Sequence, residues 1–139
     1  MILGISAGRQ NGNSEVLVKK ALSQCEEAGL ETKFVSLWDK EIKPCVDCEK
    51  CKEQDECWQE DYMSELQPML EEADAMIIGS PTYFANISAR LSLMFERTLP
   101  LRRRGFKLKD KVGGAIAVGG SRNGGQEFVV KTIQNWFTL

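Results

Sequence analysis

Met1-Ile2-Leu3-Gly4-Ile5-Ser6-Ala7-Gly8-Arg9-Gln10-Asn11-Gly12-Asn13-Ser14 runs from a short apolar segment, through a loop of small polar residues, straight into a helical pattern. Leu17, Val18, Ala21, Leu22 and Cys25 recur at helical spacing until Gly29 ends the run. The unit reads as strand, loop, helix. Glycines let backbone approach a ligand closely, hydroxyl and amide side chains donate hydrogen bonds, and the helix N-terminus adds unpaired N–H groups with partial positive charge. Such a loop can cradle phosphate. It has neither the G-x-G-x-x-G spacing of a dinucleotide site nor the Gly-Lys-Ser/Thr of a nucleotide P-loop, so a terminal phosphate monoester fits better than a pyrophosphate. A plain turn with Asn13 or Ser14 as helix cap is the structural alternative.

The same alternation continues along the chain. Thr32 to Leu37 reads as a second strand, Ala73 to Gly79 as a third and fully buried one, and Val112 to Val118 as a fourth. Helices are expected near Asp61 to Glu72, where Pro68 should kink or shorten the element, over Ser88 to Thr98, and from Gly124-Gly125 onward with Phe128, Val129, Ile133 and Trp136 on one side. Strands alternating with helices predict an α/β class: a doubly wound, flavodoxin-like parallel sheet of order 2-1-3-4 covered on both faces. Ligands in such folds sit beyond the C-terminal strand ends, where the strand order reverses. The pattern covers 1-139 as a single domain. A fifth strand is missing from it, which is expected of a shortened chain, a fragment, or a sheet completed by a partner, because an apolar edge invites aggregation.

Composition excludes several chemistries. With no histidine at all, the chain has no Ser-His-Asp triad, no Cys-His nucleophile, no catalytic His-ligated zinc and no proximal-His haem. No acid-base catalytic residue is assigned. The N-terminus has no basic leader and no stretch is long and apolar enough to span a bilayer, so the cytoplasm is the expected location. With a net charge of −2, neither nucleic acid nor membrane is an expected partner. Charge is nonetheless separated along the chain. Nine acidic and no basic residues lie between Glu53 and Asp74, while Arg97 to Lys111 holds seven basic residues. These read either as solvated faces or as a docking surface for a charged protein or a cofactor phosphate.

Two more loops follow strand ends. One is Gly79-Ser80-Pro81-Thr82-Tyr83-Phe84-Ala85-Asn86, whose aromatic rings can flank a planar heterocycle. The other is Gly119-Gly120-Ser121-Arg122-Asn123-Gly124-Gly125-Gln126-Glu127. Three such loops on one rim favour a flavin. In these stretches, and over nearly the whole length, the sequence resembles the flavodoxin-like NADPH-dependent FMN reductase superfamily. The resemblance implies that the first loop, through Ser6, Arg9, Asn11, Asn13 and Ser14, binds the FMN phosphate. It implies that Pro81, Thr82, Tyr83 and Phe84, with Gly119, Gly120, Ser121, Gly124, Gly125 and Gln126, flank the isoalloxazine. The first loop departs from the commoner Gly-Ser-Pro-Arg form, leaving Ser6 as the one hydroxyl ahead of Arg9.

Cys45, Cys48, Cys51 and Cys57 follow the pattern C-x2-C-x2-C-x5-C between the second and third strands. Three closely spaced thiolates and a fourth slightly farther on can wrap a multi-iron cluster from one loop. Zinc more often takes two C-x2-C knuckles separated by a longer segment, and a structural zinc, a disulfide or free thiols remain alternatives. Cys25 lies outside the motif and reads as a core thiol. This compact motif resembles the iron-sulfur flavoprotein branch of the same superfamily. That resemblance implies FMN together with a 4Fe–4S cluster, electron exchange with ferredoxin and with a small acceptor or donor, and a homo-oligomer, dimer or tetramer. The alternatives in function are an NAD(P)H-dependent FMN or quinone reductase with a structural zinc, and a non-enzymatic redox sensor.

Overall fold

The structure, a computed structural model, describes residues 1–54 and 56–138. Four strands, β1 (Ile2–Ser6), β2 (Thr32–Ser36), β3 (Ala75–Pro81) and β4 (Val112–Val118), form one parallel sheet in the order β2-β1-β3-β4. The register aligns Ile2 with Thr32 on one side and Ala75 on the other, and Ala75 with Val112. The helices are α1 (Asn13–Glu27), α2 (Met63–Glu72), α3 (Ala89–Glu96), α4 (Leu99–Arg103) and α5 (Gln126–Phe137), with a 3₁₀ turn at Lys50–Lys52. Among the described residues no helix is long and apolar enough to cross a membrane.

Side-chain alternation along the strands separates two faces. Leu3, Ile5, Met76 and Ile78 point to one side and are fully buried with Leu66, Leu70, Leu91, Met94, Leu101, Val129 and Ile133 of the helices. Each such side chain contributes about 1.5–3 kcal/mol on burial. The opposite side carries glycine where α1 crosses. A Cβ on Gly4 or Gly79 would come within 2.9 or 2.5 Å of Val18 methyls, so the bare backbone lets α1 seat on the sheet. Coverage is therefore unequal. Gly113 of β4 faces Phe137, which puts α5 on the same side as Met76 and its helices and leaves α1 alone on the other. One helix cannot cover four strands, and Ile77, Ile116 and Val118 remain half-exposed and Val112 exposed. The expected doubly wound sheet thus has helices on both faces, which are covered unequally, and among the described residues β4 pairs with β3 alone.

Two helices differ from expectation. Helix α2 starts at Met63 instead of Asp61: Tyr62 is its N-cap, and the Asp61 side chain just ahead of it turns back, its Oδ1 accepting from the Met63 amide at 3.0 Å. Pro68 sits inside this helix, where it forfeits one N–H bond. The expected helix over Ser88 to Thr98 divides in two. Ser88 caps α3 through its Oγ, and after Arg97 the chain turns into the short α4, with Pro100 in the first turn where its missing N–H costs nothing.

Candidate functional site

The three anticipated loops meet at the C-terminal ends of the strands. Ser6 and Ser14 are buried, and a Cβ on Gly8 would lie 2.9 Å from Ser14 Cβ and 3.8 Å from Pro81 Cδ, so the first two loops touch there. Ser88 ties them together: its Oγ donates to the Ala7 carbonyl (3.1 Å) and its amide to Ser80 Oγ (3.1 Å). The third loop joins through Gly125, which has φ +91° and whose hypothetical Cβ would overlap Ala85. The amide of Thr82 donates to the Val118 carbonyl at 2.7 Å, prolonging the ladder into the rim.

These residues fit a flavin phosphate and ring. No side chain caps α1, whose N-cap is Gly12, so the helix end is left for an anion. Asn11 adopts a left-handed φ of 54°, and its amide donates to Glu15 Oε2 at 3.2 Å. That carboxylate is also paired with Lys19, which compensates a negative charge beside the cradle. Arg9, Asn11 and Asn13 are exposed around the loop, with the Arg9 side chain lying against Gly12. Thr82 Oγ1 is buried and has no hydrogen-bond partner among the described residues, an orphan that a polar ligand atom would satisfy. Phe84 and Ala85, at φ 51° and 60°, form the centre of a tight hairpin closed by two 3.0 Å bonds between Tyr83 and Asn86. Left-handed non-glycine residues cost about 1–3 kcal/mol each, and here they hold Phe84 fully exposed and Tyr83 half out of the rim. Gly119 packs on the Gln126 side chain, whose Nε2 donates to the Ser121 carbonyl at 2.8 Å, while Gly120 is open and Gly124 lies beside that carbonyl.

The cysteine loop leaves the same rim after β2 but travels outside the helices to the far end of α3. There the Cys45 amide donates to Glu96 Oε2 at 3.3 Å. Left-handed Asp47 and Glu49 turn the chain back on itself between successive cysteines, and all four thiols line one small depression with Trp58 and Arg103. Trp58 Nε1 donates to Cys48 Sγ (3.1 Å) and Arg103 Nη1 to Cys51 Sγ (2.9 Å). The Lys50 amide and the Trp58 indole, with the Lys50 charge adding, hold the Cys48 thiol below its usual range against a smaller opposing effect of burial. Donors of this kind favour thiolates, the form that binds metal. Among the described residues no three of the thiols converge on a common point, so a bound metal requires the depression to close further.

The stem of this loop is zipped shut. The Tyr62 amide donates to the Glu41 carbonyl (3.1 Å), the Lys43 amide to Asp61 Oδ2 (2.9 Å), Lys43 Nζ to the Glu60 carbonyl (3.2 Å) and Gln59 Nε2 to the Pro44 carbonyl (3.1 Å). Behind it stands an ion pair of Arg97 and Asp61, whose side chains are 2% and 1% exposed. Arg97 Nη1 also donates to the Lys43 carbonyl at 2.8 Å. Burial pushes the Asp61 carboxyl up, but the Arg97 guanidinium and the amides of Lys43 and Met63 outweigh it and hold the group below the usual carboxylate range.

Sequence reasoning placed Gly8, Ser80 and Ala85 in the loops without a role of their own, and missed Ser88 in the rim and Trp58, Asp61, Arg97 and Arg103 around the thiols. Ser88 carried a signal, a serine just ahead of a helical pattern; Arg97 and Asp61, 36 residues apart, carried none. The basic segment is also less free than its composition implies. Arg103 is bonded to Cys51, Arg104 pairs with Glu71, and Lys111 Nζ donates to the Glu71 and Ala73 carbonyls, which leaves Arg102 and Lys107 exposed and Lys109 loosely beside Asp110 at 3.7 Å. A cavity of about 600 Å³ lies away from the flavin rim. It lies between α3, α4 and the end of α5, with Phe95, Phe106 and Trp136 in its walls and Cys45 at its margin.

Fold and rim together define a flavodoxin-like protein of the flavin-binding class. The chain belongs to the iron-sulfur flavoproteins within the NADPH-dependent FMN reductase family, whose model matches residues 1–139. It is 48% identical over 139 residues to an iron-sulfur flavoprotein of Methanocaldococcus jannaschii (99% of this chain, 72% of the relative). It is 42% identical over 139 residues to the iron-sulfur flavoprotein of Methanosarcina thermophila (99% and 73%). Its fold is similar to RosB bound to 8-demethyl-8-formylriboflavin-5'-phosphate, with a TM-score of 0.76 at 23% identity, covering 99% of this chain and 58% of RosB. A flavone reductase matches with a TM-score of 0.73 at 22% identity, covering 99% and 49%. Family membership makes the protein a flavin redox protein.

Proposed function

We propose that this chain is a cytoplasmic flavin-dependent oxidoreductase that binds FMN at the three-loop rim and a 4Fe–4S cluster on Cys45, Cys48, Cys51 and Cys57, and passes electrons between ferredoxin and a small acceptor or donor. The observation that carries the proposal is the position of α3. Its N-terminal cap, Ser88, is bonded into the rim, and its last residue, Glu96, is bonded to the Cys45 amide. An eight-residue helix is about 12 Å long, so the two sites are the two ends of one short rigid element. When bound, FMN supplies two-electron chemistry that can proceed in single steps and the cluster supplies one-electron exchange. The residues contribute binding and placement. The α1 end and Ser14 hold the phosphate, Tyr83 and Phe84 border the ring, and Arg103 and Trp58 donate to two of the thiolates. The visible spectrum of anaerobically purified protein, with iron and sulfide analysis, tests this. Flavin bands over broad absorbance at about 400 nm that bleach with dithionite are expected. A colourless protein containing zinc refutes the reading.

An acidic one-electron carrier such as ferredoxin has a docking surface to use in the exposed cations Arg102, on the helix α4 that packs against the Lys50–Lys52 turn of the cysteine loop, and Lys107 just after it. Replacing both by serine is expected to slow reduction by ferredoxin severalfold and to flatten its dependence on ionic strength, since screening shortens from ~10 Å at 0.1 M salt to ~3 Å at 1 M. Dithionite reduction, which needs no docking, serves as the control. Unchanged ferredoxin kinetics would remove these residues from the docking surface. The homo-oligomer, dimer or tetramer, is to be read by sizing the same samples.

A further inference from the structure

Asp61 and Arg97 form no hydrogen bond to a thiol among the described residues, although Arg97 borders the cysteine depression, and they take no part in the flavin rim, yet they form the most deeply buried ion pair in the structure's described residues. Stability alone does not explain them, because a buried ion pair roughly breaks even against apolar side chains of similar volume. Arg97 Nε is in fact buried without a hydrogen-bond partner among the described residues. What the pair does have is geometry. Asp61 Oδ2 accepts from the Lys43 amide and Arg97 Nη1 donates to the Lys43 carbonyl, so both backbone polar groups of one residue, two positions before Cys45, are gripped. Asp61 itself stands four positions after Cys57. The pair therefore pins the entry strand of the cysteine loop to its exit, and Gln67 Nε2 anchors the Arg97 carbonyl to α2 at 2.8 Å.

We propose that the Asp61–Arg97 pair is a positioning clamp that closes the stem of the cysteine loop in the metal-free protein, so that the four thiols are held near one another before metal arrives. Closing a loop has an entropic cost, and a stem closed on folding removes that cost from the metal-binding step. The inference rests on the proposed metal-holding role of the cysteines, while the clamp contacts are made by protein groups alone.

The test uses the full chain with Asp61→Asn and Arg97→Met combined, which leaves neither charge buried alone, and Arg97→Lys as the conservative variant. Three measurements are made: amide hydrogen exchange of metal-free protein, FMN affinity by fluorescence quenching, and Co(II) titration of the thiols. In the double variant the Lys43 amide is expected to exchange at least tenfold faster, Co(II) affinity to fall about 10- to 100-fold, as removal of outer-shell partners does elsewhere, and FMN affinity to stay unchanged. Arg97→Lys, which keeps a cation beside Asp61, is expected to recover part of the Lys43 protection. Unchanged Lys43 exchange and Co(II) affinity in the double variant would overturn the clamp. So would parallel loss of FMN affinity, which would make the pair a general support of the fold. If the natural protein takes up neither iron nor Co(II) while its Lys43 amide is protected through the pair, the clamp stands and the metal-holding role fails.

Discussion

Cys48→Ser is expected to strip iron and sulfide from the purified protein and leave its flavin in place. Cys48 is the second cysteine of the motif, its sulfur accepts from Trp58, and the Lys50 amide and the indole already favour its ionised form. A serine hydroxyl titrates far above a thiol and binds iron poorly, so the loop retains three suitable ligands where a cubane needs four. The flavin rim depends on other segments and is anchored through Ser88 at the opposite end of α3. Iron and sulfide are therefore expected to fall to less than about a tenth of the natural protein's content, with FMN stoichiometry unchanged. Cys25→Ser is the control. Cys25 is on α1, across the sheet from the cysteine loop, and its replacement should leave both cofactors. Loss of iron in Cys25→Ser with retention in Cys48→Ser would overturn the ligand assignment.

The second large effect is expected at Gly125. Its left-handed backbone is strained for any residue with a Cβ, and that Cβ would overlap Ala85, including Ala85 Cα at 2.7 Å. Gly125→Ala must then carry backbone strain of about 1–3 kcal/mol or push the third loop away from the second. If the loops part, the rim opens, and FMN affinity is expected to fall about tenfold, the equivalent of 1.4 kcal/mol. Adding Ala85→Gly removes the Cβ overlap but neither the 2.7 Å approach to the Cα at position 85 nor the backbone strain, so the double variant should recover some affinity but not all. Flavin fluorescence quenching measures both. An unchanged affinity in Gly125→Ala would show that the contact between these loops does not shape the flavin site. Iron content should be unaffected in either variant, since neither loop reaches the cysteine depression.

The sequence by itself determined the class of fold, the sheet order and the rim. Short apolar runs ending in glycine-rich loops are local signals, and parallel connections leave few ways to order the strands. The four cysteines were equally legible, because their spacing lies within one segment. Helix boundaries were less so. Asp61 was read as helix because its neighbours are helix formers, whereas it lies just ahead of α2, where its carboxylate accepts from the Met63 amide and binds Arg97. The unequal covering of the two sheet faces also required the structure, since helical periodicity does not say which face a helix returns to. Tertiary structure alone decided where the basic residues go. Arg103 and Arg104 read as surface charge in the chain, and only packing α4 against the cysteine loop and α2 commits them to Cys51 and Glu71. The same holds for the stem of the cysteine loop. A pair such as Asp61 and Arg97 is coupled by burial and by distances of a few ångströms, and neither quantity exists until the chain has folded.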